Sequence, residues 1–156
     1  MTCKNCDVAF LKEARFAKED RNYFCGSSCS VSYNNKRREV GKKRSKLEMW
    51  IEPRLKEDFP NLDIHFNRKD AINSELDIYI PSLKLAIEIN GRFHYEPVFG
   101  QALLEATQKN DREKEAACKK RGIEFVVIDA SSLKFLTHKK GYRYLRKINE
   151  IIKDRL

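Results

Sequence analysis

The sequence predicts an α+β (α/β) domain built on a mixed central sheet flanked by helices, with a small cysteine-bearing module in front of it. Three observations carry this. Apolar residues recur at helical spacing through Leu47, Trp50, Ile51 and Leu55, and again through Tyr142, Leu145, Ile148 and Ile152. Between them lie three β-rich runs, two of which are close enough to form a hairpin. Four of the five cysteines form two close pairs near the N-terminus. A chain of 156 residues suffices for one ordinary core plus an appendage. A hydrophobic fraction of 41% with 10% aromatics excludes global disorder. The 32 Lys and Arg against 23 Asp and Glu give a formal charge of +9, which favours polyanionic partners. No apolar run approaches the roughly 20 residues that span a bilayer, and no signal-peptide core is visible. The expectation is a cytoplasmic protein, nuclear if eukaryotic, with no membrane partner.

The first segment, residues 1–34, carries Cys3-x2-Cys6 and Cys25-x3-Cys29. Each pair fixes two thiolates on one turn, and two such pairs supply the four ligands of a tetrahedral structural zinc ion. A reducing compartment makes metal ligation the better reading than disulfides. Residues 35–45 follow as a basic linker, with Lys36, Arg37, Arg38, Lys42, Lys43 and Arg44 around Gly41. Clustered cations on a connector release phosphate counterions on binding, so this segment reads as a nucleic-acid arm; charge alone fits a solvated linker equally well.

The main domain occupies residues 46–156. Ser45-x-x-Glu48 is a capping box that opens a helix running to Asp58, and Pro60 stops it. The strands 76–80 and 85–89 join through Pro81-Ser82-Leu83-Lys84, and Asn90-Gly91 breaks the second. A long helix runs from Gln101 to Lys120 and closes at Arg121-Gly122. Residues 124–129 then read as a buried strand, and the C-terminus returns to helix.

With a four-residue loop, Ile80 faces Leu85, and counting outward Asp77 stands opposite Glu88, with Glu75 and Asn90 on the same face. Two facing carboxylates on an apolar hairpin repel, so a proton or cation belongs between them. Mg²⁺, bound through one or two carboxylates and completed by water and phosphate, meets that need, with Mn²⁺ as its substitute. His94, just beyond the strand break, has the near-neutral pKa that proton transfer requires. His65 and His138 show no acidic cluster beside them and receive no role.

The runs Leu76-Asp77-Ile78, Ala86-Ile87-Glu88-Ile89-Asn90-Gly91-Arg92-Phe93-His94, Lys109-Asn110-Asp111-Arg112-Glu113-Lys114 and Arg121 to Ile128, in that order, resemble very-short-patch-repair-type endonucleases of the PD-(D/E)XK superfamily. They resemble still better the EDxHD branch of phage and intron-associated homing endonucleases. The resemblance implies a restriction-endonuclease-like core and Mg²⁺-dependent hydrolysis of phosphodiesters in double-stranded DNA. Residue by residue it implies Asp77 as principal metal ligand, Glu88 as the second acidic ligand, and His94 near attacking water. It also implies Glu48 as the helical glutamate supporting the pocket, although the capping box explains that residue equally well. Asp111 would be the final acidic position, and Lys114 a phosphate-contacting base. Two features depart from the pattern. The superfamily's lysine two residues after the second acid is Asn90, which favours the histidine-bearing variant, and the cysteine module is an N-terminal addition. The expectation is thus a DNA endonuclease with a zinc-binding arm, acting as monomer or homodimer. Its rival is a non-catalytic zinc-dependent nucleic-acid-binding protein whose hairpin acids are structural.

Overall fold

The computed structural model describes residues 1–11, 21–37 and 44–156. The chain divides into two compact units, Met1–Lys43 and Arg44–Leu156. In the first, an isolated antiparallel bridge joins Thr2 to Ala9, and the Cys3 amide donates to the Val8 carbonyl at 2.9 Å, making a tight knuckle around the first cysteine pair. Helix α1, Ser27–Arg37, follows Cys25 directly and carries Cys29 in its first turn. It continues past residue 34, so the segment expected as linker begins as helix. Arg38, Lys42 and Lys43 lie outside the described residues.

The second unit is α+β. Its helices are α2 (Lys46–Asp58), α3 (Gln101–Lys120) and α4 (His138–Lys153), and its strands are β1 (His65–Arg68), β2 (Leu76–Ile80), β3 (Leu85–Asn90) and β4 (Glu124–Asp129). The sheet order is β1-β2-β3-β4, mixed because β3 and β4 run parallel while the other pairs are antiparallel. Residues between β3 and β4 include all of α3, the length of crossover a parallel pair requires.

Local chemistry explains the elements. Ser45 accepts from the Glu48 amide and Glu48 Oε1 accepts from the Ser45 amide, both at 3.1 Å, which closes the capping box at the start of α2. Pro81–Leu83 forms a 3-10 turn and Lys84 takes the left-handed conformation (φ 48°), so the chain reverses and pairs Ile80 with Leu85 as the four-residue loop required. Gly122, at φ 66°, ends α3 where a side chain would be strained. β1 was not foreseen: Asn67 adopts φ 51°, and the stretch lacks the alternation that marks a strand.

β3 is buried along its whole length. One face meets α2 and α4 through Leu47, Ile51, Leu55, Leu145, Ile148 and Ile152, all buried with Ile78, Ile80, Leu85 and Ile87. A smaller cluster of Ile72, Leu76, Ala86, Cys118 and Ile123 lies toward α3. The stripe expected on α4 is displaced at one end: Tyr142 is half exposed and Tyr144 takes the buried place. Tyr142 instead packs at a right angle to Trp50 at a ring separation of 5.1 Å, while Arg54 lies over the Trp50 ring at 3.8 Å. Among the described residues, no helix is long and apolar enough to cross a membrane.

Gly141 touches this cluster directly, because a Cβ there would lie 2.8 Å from Trp50 Cζ3. In a free helix, Gly→Ala gains up to about 1 kcal/mol. Here overpacking against a ring already in contact with Arg54 and Tyr142 costs about 1–3 kcal/mol and wins. Gly141→Ala should lower the melting temperature by several degrees in a thermal denaturation experiment; an unchanged or raised value contradicts this account of the α2–α4 contact.

Candidate functional site

The paired antiparallel ladder of β2 and β3 runs from Ile80–Leu85 to Ile78–Ile87. One step beyond it come Asp77 and Glu88, where carboxylates take over from carbonyls. The Asp77 amide donates to Glu88 Oε1 at 3.0 Å, and the Ile89 amide donates to Asp77 Oδ2 at 2.8 Å. Each acid therefore reaches across to the opposing strand, and the two meet as the register predicted. Glu75, expected on the same face, is exposed and precedes β2.

Two further elements complete the cluster. From α3, Lys114 Nζ lies 2.7 Å from Glu88 Oε2, with side-chain exposures of 12% and 4% that make this a buried ion pair. One turn earlier on the same helix, Asp111 Oδ2 lies 2.7 Å from Nδ1 of His94, which a 3-10 turn at Arg92–His94 presents just past β3. Gln108 Nε2 holds the His94 carbonyl at 3.2 Å, and the Asn90 amide group lies 3.5 Å from Asp111. Because a carboxylate accepts at Nδ1, the neutral imidazole carries its proton there, leaving the Nε2 lone pair free. Glu48 holds the cap of α2, with Arg44 Nε 3.9 Å from its other oxygen, and its charge still acts on Asp77.

The electrostatics follow from burial. Burial pushes the Asp77 carboxyl up, to about 7; repulsion from Glu88 and then Glu48 adds to this, while the Ile89 amide and Lys114 oppose it. Burial also raises Glu88, against the pull of Lys114. One ammonium facing several acids leaves an excess of negative charge, which a proton or a metal ion relieves. Among the described residues, one oxygen of Asp77 accepts a hydrogen bond, whereas both oxygens of Glu88 are engaged.

Of the residues expected to act, the fold brings together Asp77, Glu88, His94 and Asp111, with Glu48 near enough to repel Asp77. Lys114, expected to contact phosphate, is turned onto Glu88. Arg44 of the expected arm pairs with Glu52, and Lys36 and Arg37 fall in the last turn of α1. Sequence reading missed the Lys114–Glu88 and Gln108–His94 contacts, which no local pattern announces. It also misjudged His65, which does have acids beside it: Nε2 lies 2.9 Å from Asp63 and Nδ1 3.0 Å from Asp70. Both aspartates are close in sequence, so spacing alone could have flagged them.

The other candidate centre is the cysteine cluster. All four Sγ atoms lie within 4.8 Å of one another, with Cys6–Cys25, Cys25–Cys29 and Cys29–Cys6 separations of 3.7, 3.5 and 3.7 Å. A tetrahedral ion with Zn–S bonds of about 2.3 Å holds its sulfurs about 3.8 Å apart. The donor set therefore fits, and the cluster can hold a metal ion such as zinc. Burial opposes ionisation of Cys3, yet backbone hydrogen bonds at Cys25, Asn5 and Cys6 bring that thiol down to about 6. Hydrogen bonds with Cys29, then Cys3 and Cys6, push Cys25 up to about 12, because one thiolate suppresses the next when no cation lies among them.

No protein-family model matches the chain. Among curated proteins, the chain is similar to uncharacterized protein 094L of Frog virus 3 (isolate Goorha), at 40% identity over 79 residues. The match covers 47% of this chain and 47% of the viral protein, so the chain spans about half the length of the relative it matches.

Two outcomes follow. Purified protein should carry one equivalent of zinc by metal analysis, released by thiol-blocking reagent and lost in Cys25→Ser; a metal-free wild type that retains a folded N-terminal unit contradicts the ligand assignment. Asp77, raised well above the usual carboxylate range when folded, keeps a proton that the unfolded chain has already lost between about pH 4 and 7. Its contribution to stability thus declines as pH rises through that window. Without added divalent cation, Asp77→Asn should be more stable than wild type at pH 8, by on the order of 1–3 kcal/mol, and nearly equal to it at pH 4. Equal stability at both pH values contradicts the buried repulsion.

Proposed function

We propose that this chain is a metal-dependent DNA endonuclease with a restriction-endonuclease-like core. The observation that carries the reading is the convergence of Asp77, Glu88 and the His94–Asp111 pair at the end of a mixed sheet. They come from β2, β3, the turn after β3, and α3, in the order in which the resembling family arranges its acids and histidine. Asp77 would hold Mg²⁺, or Mn²⁺ in its place, with Glu88 beside it; that ion supplies Lewis-acid polarisation of a phosphate when bound. Nε2 of His94 takes a proton from water as the water oxygen attacks phosphorus and the bond to the leaving oxygen breaks, with solvent supplying the proton to that oxygen. Asp111 keeps the imidazole oriented and stabilises the imidazolium that forms. Lys114 positions Glu88. Asn90 has no charge to offer, which leaves water activation to His94. The cysteine module would hold structural zinc and, with the basic segment after it, add contacts to the duplex.

One observation favours a second reading, a non-catalytic zinc-dependent nucleic-acid-binding protein. Both acids already cap backbone amides and Glu88 already has its counter-ion, so the cluster has a structural use without metal.

A supercoiled-plasmid assay separates the readings. Nicking should appear with Mg²⁺ or Mn²⁺ and be abolished by Asp77→Ala in protein that still binds duplex. His94→Ala should slow it about 10²–10⁴-fold with little change in the metal concentration required. Wild-type protein that binds DNA and never cuts it, or a folded Asp77→Ala that still nicks, overturns the nuclease reading.

A further inference from the structure

Between Asp129 and Glu150 the chain has no Asp or Glu, yet it carries Lys134, Lys139, Lys140, Arg143, Arg146 and Lys147, a large part of the net +9. The last five lie on α4 and all are exposed. None makes an ion pair among the described residues. Elsewhere in the same unit some exposed cations are paired, as in Lys56–Glu52, Arg68–Asp70 and Arg92–Glu96. Helical spacing puts Lys139, Arg143, Arg146 and Lys147 on the side opposite Tyr144, Leu145, Ile148 and Ile152.

Their place along the helix is also unfavourable for folding. The first turn of α4 has no acid and holds His138, Lys139 and Lys140, where the helix dipole disfavours positive charge. A run of cations that the helix dipole disfavours, with Asp129 the acid that attracts Lys147, invites an anionic partner.

α4 packs on the sheet face of Ile78, Ile80 and Ile87, opposite the face that carries Asp77 and Glu88. β4 ends beside Asn90, whose carbonyl accepts from the Ala130 amide at 2.8 Å, and residues 130–137 connect it to α4. His138 meets Trp50 edge-on at a ring separation of 6.0 Å, and Trp50 lies on α2 just after Glu48.

We propose that the exposed basic face of α4 binds the phosphate backbone of duplex DNA. This rests on the nuclease reading for what happens to the held strand, but binding itself does not require cleavage. From Lys139 to Lys147 the helix advances about 12 Å, a span over which one strand of a duplex presents about three phosphates. A membrane surface is the poorer partner, because the apolar side of α4 is already buried in the core and nothing remains to enter lipid.

The test uses full-length, zinc-loaded protein without Mg²⁺ and a fluorescent duplex of about 30 base pairs, followed by anisotropy across a salt series. Replacing Lys139, Arg143 and Lys147 together by Gln should reduce the slope of log affinity against log salt by about 2–3 and weaken binding at least 10-fold near 0.1 M salt. Arg143→Gln alone should reduce the slope by about 1. Melting temperatures at or above wild type would exclude misfolding as the cause. A control with Lys56, Lys119 and Lys120 replaced by Gln loses the same charge away from α4 and should keep most of the affinity. Unchanged binding in the α4 variants, or an equal loss in the control, overturns the proposal, as does preferential wild-type binding to phosphatidylserine vesicles. Wild-type protein that binds through α4 and never nicks plasmid ends the nuclease reading and leaves this surface standing.

Discussion

The structure of the main unit turns on two carboxylates placed where a β-ladder ends. β3 is buried from end to end, so Glu88 is enclosed whatever its role, and Asp77 lies across from it. Burying one ionised carboxylate is costly, and burying two side by side is more so. The fold lowers that cost with two backbone amides and with Lys114 from α3, which closes a buried ion pair on Glu88. The compensation is incomplete. Asp111 and Glu48 add further negative charge, and Asp77 responds by holding its proton into the neutral range. The excess is what a divalent cation would relieve.

The cysteine unit answers a different problem. So small a segment has few apolar residues to bury, and its hydrogen-bonded knuckle and one helix bring four sulfurs to metal-binding separation instead. Its thiols show the same frustration as the acids: Cys3 ionises readily, Cys25 scarcely at all, and a cation would remove the difference.

Much of this was legible in the sequence because short-range rules govern it. The hairpin register followed from a four-residue loop and a period of two, and that register delivered Asp77 to Glu88. The capping box at Ser45 and the glycine stop after α3 were read from single residues. What escaped depends on tertiary contact. Lys114 is 26 residues from Glu88, and its charge gave no sign of whether it would face solvent or core. β1 is short, interrupted by a left-handed Asn67, and formed chiefly because β2 offers it a partner. Tyr144 displaced Tyr142 from the core because Trp50 and Arg54 offered the latter an edge contact at the surface. A helical wheel sees periodicity but not the neighbour across the groove.

The direct measurement is an anomalous-scattering map from crystals grown at pH 8 with Mn²⁺. The account predicts a peak bonded to an Asp77 carboxylate oxygen, with Glu88 alongside and His94 within reach of a metal-bound water. A map with Asp77 and Glu88 unchanged, Lys114 still closing the pair and no peak at that end of the sheet would contradict it.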